Sequence, residues 1–378
     1  MKKNVKKDLK KYLRKIKKWQ KKKGLDSVHF VYALAGVVGL VALLLVLFFS
    51  RGFFQTEKGD MDREVEEFVR EEVQEVDCEH MRLLDGVCVS SAEDIAPGII
   101  GIMIENHIEA RPLAGLSQAR VVYEAPVEGN ITRFFALFLE ADEVAKVGPV
   151  RSARPYYLDW LAEYGDAMYM HVGGSPEALD RIASTDVFDM NEFSRGWYFW
   201  RGKDRGAPHN TYTSSELWQD AYEKYSPDNA HVEIDAWKFN NDGEVCEEDC
   251  ITDITIAFER WTYKAHWVYN VEEDYYKRYE SGRRHIDQGG TPIIANTIIV
   301  QHVDAQVIDN VGRLRVDTIG EGDVDIFVHG KHLSGIWKKE NVDAKTRWYD
   351  DSGEEIAIAP GVIWISVLSG NGELTVEE

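Results

Sequence analysis

The chain is poor in cysteine, poor in proline and, over most of its length, poor in positive charge. Four Cys and ten Pro among 378 residues exclude a disulfide-dense mini-scaffold and a proline-rich linker protein. With 44 Lys+Arg against 65 Asp+Glu, the chain lacks the basic footprint of a general nucleic-acid binder, and no nucleic-acid partner is expected. There is no G-x-S-x-G elbow and no H-E-x-x-H helix, so the local signatures of two large hydrolase classes are missing. There is also no internal repeat and no low-complexity tract beyond a Lys-rich head. What is present is apolar: 44% hydrophobic and 11% aromatic residues exclude wholesale disorder and suffice for a sizeable core.

The net charge of −21 hides a split. Residues 1–29 hold 13 Lys/Arg and two Asp, whereas the remainder holds 31 basic and 63 acidic residues. Between the blocks lies Phe30 to Phe49, FVYALAGVVGLVALLLVLFF, with no ionisable group except Tyr32. A run of about 20 apolar residues is the length a helix needs to cross the hydrocarbon layer. The competing reading, a cleaved secretory signal, fits less well. Its apolar region is about 7–15 residues and ends in a small-residue cleavage site, whereas here the run ends Phe48-Phe49-Ser50-Arg51. The expectation is a single-pass anchor in the cell membrane over 30–50, with head 1–29 cytoplasmic and the rest extracytoplasmic. Lys2 to Lys23 would touch anionic lipid on the inner face. An acidic stalk or linker, 51–95, follows, with Val65, Phe68, Val69, Val73 and Val76 at helical spacing.

The four Cys form two local pairs, Cys78/Cys88 and Cys246/Cys250. In an oxidising compartment local disulfides are the expected reading. The 157-residue gap between the pairs disfavours a four-Cys zinc site, and no metal or cofactor is expected.

From Gly98 onward the pattern predicts an α/β segment, 96–240, and then a mainly β segment, 250–378, a barrel or sandwich. Strands are predicted at 99–104, 121–127, 132–139 and 167–172, and helices at 155–164 and 177–183, the latter capped by Ser175 with Pro176 at its first position. Thr213-Ser214-Ser215-Glu216 reads as a capping box opening a helix to Tyr225. Further strands are expected at 254–258, 266–271, 275–280, 297–303, 313–318, 324–328, 346–349, 354–358 and 362–368.

Polar residues concentrate between Glu105 and Asn210, where strands end and turns begin, which is where open α/β sheets place ligands. Arg111, Arg133, Arg151 and Arg154 offer fork-shaped donors for carboxylate or phosphate. The Gly173-Gly174-Ser175 turn would aim backbone N–H groups at the same anion, although Ser175 lacks the Lys and the spacing of a P-loop. Glu128, His171 and Asn210 complete the candidate ligand set. Internal pairing of the arginines with Glu105, Glu124, Glu128 or Asp159 is the blander alternative. Glu124, His171 and His209 are the candidates for acid/base work. Glu124 and Glu128, four apart on a strand, stand about 13 Å apart, beyond the separations used by glycosidases. Pairing of one of them with Arg133 is the simpler expectation. Trp197-Tyr198-Phe199-Trp200, read as a strand, puts two rings on each face, one pair available to stack on sugar.

These segments resemble the YerB-like family of bacterial lipoproteins with a domain of unknown function. The resemblance is carried by Arg111-Pro112-Leu113-Ala114-Gly115-Leu116, Tyr123-Glu124, Glu128-Gly129-Asn130-Ile131-Thr132-Arg133, Gly148-Pro149-Val150-Arg151-Ser152-Ala153-Arg154-Pro155, His171-Val172-Gly173-Gly174-Ser175-Pro176 and Pro208-His209-Asn210. Downstream, Arg278 with Asp287, Ala295-Asn296, Gly330, Trp337-Lys338 and Pro360-Gly361 extend it, so that it covers about residues 95–370. It implies an N-terminal α/β domain and a β-rich C-terminal domain held outside the cytoplasmic membrane, and it supplies no reaction. The chain departs from the family in lacking a lipid-attachment Cys after the apolar run, and in carrying Glu105 and Asn130 where Asp and Gly are expected. The reading that follows is an envelope binding module for an anionic or glycan ligand. A hydrolase of an envelope polymer and a non-catalytic scaffold for an envelope protein are the alternatives.

Overall fold

Ile99–Glu105 and Val121–Val127 are buried at every position. Consecutive apolar side chains leave no face for water, so such strands belong at the centre of a sheet covered on both sides. The computed structural model, which describes residues 78–227, 234–241 and 243–377 together with Arg14, Lys15 and Lys18, places them there. They lie in a ten-stranded mixed sheet ordered Arg347–Tyr349, Lys331–Lys339, Gly320–Val328, Thr297–Val303, Ile363–Ser369, Val121–Val127, Ile131–Leu139, Ile99–Glu105, Met168–His171 and Asp189–Asn191.

A second sheet of six strands joins Arg283–Arg284, Tyr275–Glu280, Ala265–Asn270, Asp253–Ala257 and Glu373–Glu377, with Ile294–Ala295 also paired to Tyr275–Glu280. Its three central strands alternate between buried and half-exposed residues, the period-2 signature of a sheet with one face on a core. That buried face lies against the large sheet: Trp267 meets Trp364 edge-on at 5.2 Å, and Phe134 meets Trp364 at 5.4 Å. On the opposite face of the large sheet, Tyr156, Tyr157 and Trp160 of the helix Pro155–Leu161 pack with Tyr123 and Phe135.

The chain from Cys78 onward is β-rich with few helices and forms one compact unit. This corrects the expectation of a self-contained C-terminal barrel or sandwich. The strands of that segment divide between both sheets, and the large sheet is common to both segments. The joint is the parallel pairing of Val121–Val127 with Ile363–Ser369, Val121 opposite Ile363 and Glu124 opposite Ser366. Hydrophobic period tells a strand from a helix but carries no information about which strand lies beside it.

Most predicted elements are present with edges moved by a residue or two. Ser175 caps the helix Pro176–Ser184, its hydroxyl accepting from the Ala178 N–H at 3.3 Å. The expected capping box does not form: Ser214 makes no side-chain cap, and Ser215 Oγ accepts instead from the Val144 N–H at 3.0 Å. Residues 354–358 make only isolated bridges, Tyr349 to Glu355 and Phe239 to Ile358. Lys331–Lys339, which was not predicted, is a full strand hydrogen-bonded to Gly320–Val328. Its first four residues are exposed, so no apolar alternation announced it. Both disulfides, Cys78–Cys88 and Cys246–Cys250, are formed. The basic head apart from Arg14, Lys15 and Lys18, the apolar run Phe30 to Phe49 and the stalk up to residue 77 lie outside the described residues. Among the described residues no helix is long and apolar enough to cross a membrane.

Candidate functional site

Ile131–Leu139 lies between Val121–Val127 and Ile99–Glu105 and runs antiparallel to both. Side chains on a strand alternate between faces, so Thr132 and Arg133 lead into two different polar clusters on opposite faces of the large sheet.

The Thr132 side is a sealed network between the sheets. Thr132 Oγ1 donates to Glu124 Oε1 at 2.9 Å and accepts from Asn106 Nδ2 at 2.7 Å. Glu124 Oε2 pairs with Arg278 Nη2 at 2.7 Å and accepts from the Trp364 indole at 3.2 Å. Arg278 Nη1 donates to His285 Nδ1 at 2.7 Å and lies 3.5 Å from Glu280. Glu280 also accepts from Asn106 at 2.8 Å and pairs with Arg111 at 3.1 Å. Glu124 and Arg278 are both 0% exposed, and the guanidinium lies over Trp364, Phe134 and Trp267 at 4.8–5.6 Å, where cation–π attraction assists it.

Burial raises the Glu124 carboxyl, Arg278 pulls it back and Glu280 adds to the rise. Burial pushes His285 down to about 3; Glu280 opposes this, while Arg278 and Arg111 reinforce it. The imidazole is therefore the neutral acceptor that Arg278 requires. Two arginines, Arg111 and Arg278, face two carboxylates, Glu124 and Glu280, and the charges balance.

The Arg133 side is unbalanced. It sits where Ile99–Glu105, Val121–Val127 and Met168–His171 end. Arg154 makes a fork with Glu128, Nε and Nη2 each 2.7 Å from a carboxylate oxygen. Arg151 lies 3.1 Å from Glu105, whose other oxygen meets His209 Nδ1 at 2.9 Å. Arg133 is only 6% exposed, donates to the Ser152 carbonyl at 2.6 Å, and has no carboxylate within ion-pair distance among the described residues. Burial pushes its guanidinium down to about 10; the like charges of Arg154 and Arg151 add to the drop, against Tyr157 and Tyr156. Glu128 is held below the usual carboxylate range by Arg154 against the effect of burial. Three arginines thus meet two carboxylates in a largely desolvated place, an arrangement that suits an incoming anion.

Several predicted site residues are elsewhere or already engaged. Arg111 belongs to the sealed network, where it also donates to Asn106 and to the Thr262 carbonyl. Glu124 pairs with Arg278 and not with Arg133, and has no exposed surface from which to act as an acid or base. His171 is 0% exposed, with Nδ1 2.7 Å from the Gly173 carbonyl and Nε2 2.7 Å from Asp189. It closes the end of its strand and offers neither nitrogen to a ligand. The Gly173 N–H donates to Asn191 Oδ1 at 2.9 Å and the Ser175 N–H to the Ala153 carbonyl at 3.2 Å. The turn containing Gly174 therefore holds the segment 151–154 in place and aims neither of these donors at an anion. Asn210 staples its own loop through the Gly202 and Arg205 carbonyls. The expected aromatic strand is instead a tight 3₁₀ turn, Gly196–Tyr198, running into Trp200–Arg201. Tyr198 and Phe199 are buried, while Trp197 is 61% exposed.

Sequence reasoning noted Arg278 only within the family resemblance, gave Asn106 no role, and passed over Glu280 and His285. Glu280 and Arg278 have two-residue spacing on one strand, a shared face, but nothing local says that the face is buried against Glu124.

Residues 85–228 match the N-terminal domain, and residues 254–365 the C-terminal domain, of the family described as protein of unknown function DUF3048. The chain belongs to the DUF3048 family. It is 30% identical over 275 residues to YerB of Bacillus subtilis, a protein named as a lipoprotein, an overlap covering 71% of this chain and 80% of YerB. The crystal structure of the Bacillus subtilis YerB protein superposes with a TM-score of 0.67 at 26% identity, covering 78% of this chain and 99% of that one.

Proposed function

We propose that this protein is a membrane-held, extracytoplasmic binding module whose ligand presents a phosphate or carboxylate to Arg133, Arg151 and Arg154. The observation that carries the reading is Arg133, buried, without a carboxylate partner among the described residues and flanked by two further arginines. An unpaired buried cation is costly unless something neutralises it, and a ligand anion does so at a strand-end position suited to binding. Phe193, 74% exposed, lies against Gly173, the residue whose carbonyl accepts from the Ala153 N–H. It offers an exposed apolar ring for a sugar, on the turn bonded to the segment that carries Arg151 and Arg154, and a charged envelope glycan is the ligand class we propose. The basic head and the apolar run Phe30 to Phe49 support a cytoplasmic N-terminus and an uncleaved anchor, and the relative named as a lipoprotein supports membrane attachment. A hydrolase reading has lost Glu124 and His171 to burial.

Calorimetric titration of the full-length protein with a phosphodiester polymer and with a uronic-acid glycan tests the proposal. One of them is expected to bind, with affinity falling as salt rises and falling at least tenfold in Arg133→Met. No binding of either, or equal binding by the variant, overturns it.

A further inference from the structure

We infer that His107, Glu109 and His209 form a site for a divalent transition-metal ion of the zinc class. The sequence suggested no metal, because the donors come from two distant segments, His107 and Glu109 around the short turn Ile108–Ala110 and His209 in a loop a hundred residues further on. The fold brings one ligand atom from each to within 4.8 Å of the others. His209 Nε2 is 3.2 Å and His107 Nδ1 is 3.9 Å from the Glu109 carboxylate. Donors around a tetrahedral ion with bonds of about 2.1 Å stand roughly 3.4 Å apart. The carboxylate is therefore nearly placed, and the two imidazoles need to close by up to about 1.4 Å. Glu109 is 70% exposed and free to follow.

The buried support is already in place. His209 Nδ1 is held at 2.9 Å by Glu105, only 5% of whose side chain is exposed and whose other oxygen lies 3.1 Å from the Arg151 guanidinium. A metal-binding histidine typically gives its second nitrogen to a carboxylate in this way, which sets the tautomer and strengthens the donor. The Nε2 of His209 faces the carboxylate of Glu109 at 3.2 Å, so that a cation between them meets a donor atom on each side. The ring of His107 stacks on that of His209 at 4.8 Å and 19°, so the two imidazoles are neighbours, and the His107 ring tilts to turn a nitrogen towards an ion held by His209. The His107 Nδ1 now accepts the Glu109 N–H at 3.2 Å, a weak contact that a metal bond replaces. Two imidazoles and one carboxylate favour zinc, nickel or cobalt over magnesium or calcium. Three protein ligands leave a coordination position open to solvent.

The test is titration of the chelator-stripped full-length protein with Zn²⁺, read by competition with a chromophoric chelator and by metal analysis after desalting. One equivalent is expected to bind, Mg²⁺ not to compete, and His107→Ala or His209→Ala each to weaken binding at least tenfold. His332→Ala, which removes a separate imidazole–carboxylate pair with Asp325, is expected to leave binding unchanged. Circular dichroism and metal-free melting verify that the variants fold. His107→Ala loses only the stack on His209 and the contacts with Glu109, and keeps the test open if His209→Ala is unstable. Absence of stoichiometric zinc, or undiminished binding in His107→Ala, overturns the inference.

Discussion

Thr132 and Arg133 are neighbours on one strand, yet their polar surroundings differ in kind. Thr132 joins a network in which the charges balance and the two sheets close over Glu124 and Arg278 at 0% exposure. Arg133 joins a cluster with one more arginine than carboxylate, at the open end of the strands. Both contain buried guanidinium groups, so burial alone does not mark a binding site. The pairing does. A charge-balanced network makes a seam between two segments of chain, whereas an unbalanced one needs something from outside.

Breaking the seam has the largest expected effect. Arg278→Met leaves Glu124 buried without its counter-ion, and the loss is expected to be about 3–5 kcal/mol by chemical denaturation. Adding Glu124→Leu to that variant is expected to recover much of it, because an apolar pair can replace a buried ion pair. A single-variant loss below about 1 kcal/mol would remove the distinction between the two clusters.

A second unbalanced cation sharpens the comparison. Lys345 is 7% exposed, lines a cavity of ≈ 480 Å³, and holds its Nζ 3.8 Å from the ring centres of both Tyr164 and Trp237. The nearby buried carboxylate, Glu163, is taken by Lys339 at 3.0 Å and by Thr346. Burial pushes Lys345 down to about 7; Glu163 opposes, Lys339 and Arg347 add to the drop, and Asp235 opposes weakly. A lysine whose folded value lies below its unfolded value costs stability wherever the folded state must carry the proton. That cost is full below pH 7 and is relieved as pH rises towards the unfolded value near 10. Lys345→Met is therefore expected to stabilise the protein by about 2–4 kcal/mol at pH 6, offset in part by the lost cation–π contacts, and by progressively less up to pH 9. A pH-independent difference would show that the amine stays charged.

Arg133→Met has the smallest expected effect on folding, within about 1 kcal/mol and in the stabilising direction, since no carboxylate loses its partner. Melting of this variant beside Arg278→Met checks the contrast directly. A loss as large as that of Arg278→Met would make the arginine cluster another seam.

The strand cores at 99–104 and 121–127, the cap at Ser175 and both disulfide pairs were legible because each depends on neighbours in the chain. Apolar continuity, a serine before a proline and closely spaced cysteines are local signals. The partners of Glu124 and Arg133 were not legible. Glu124 has Arg133 nine residues away and pairs instead with Arg278, 154 residues away, because the strand faces alternate and Arg278 arrives on a second sheet. The packing of the strand Tyr275–Glu280 of the second sheet over Val121–Val127 decides which arginine meets Glu124, and nothing within either segment specifies it.

By itself, the sequence determined the elements of the region from Cys78 onward, its separation from a basic head by an apolar run, and the short stretch of chain in which arginines and carboxylates gather. Only the tertiary structure decided which of them cancel one another and which, like Arg133 and the His107–Glu109–His209 group, are left facing a partner from outside. Side-chain period and propensity act over a few residues, whereas charge compensation is settled by distances of a few ångströms between segments 26 to 154 residues apart.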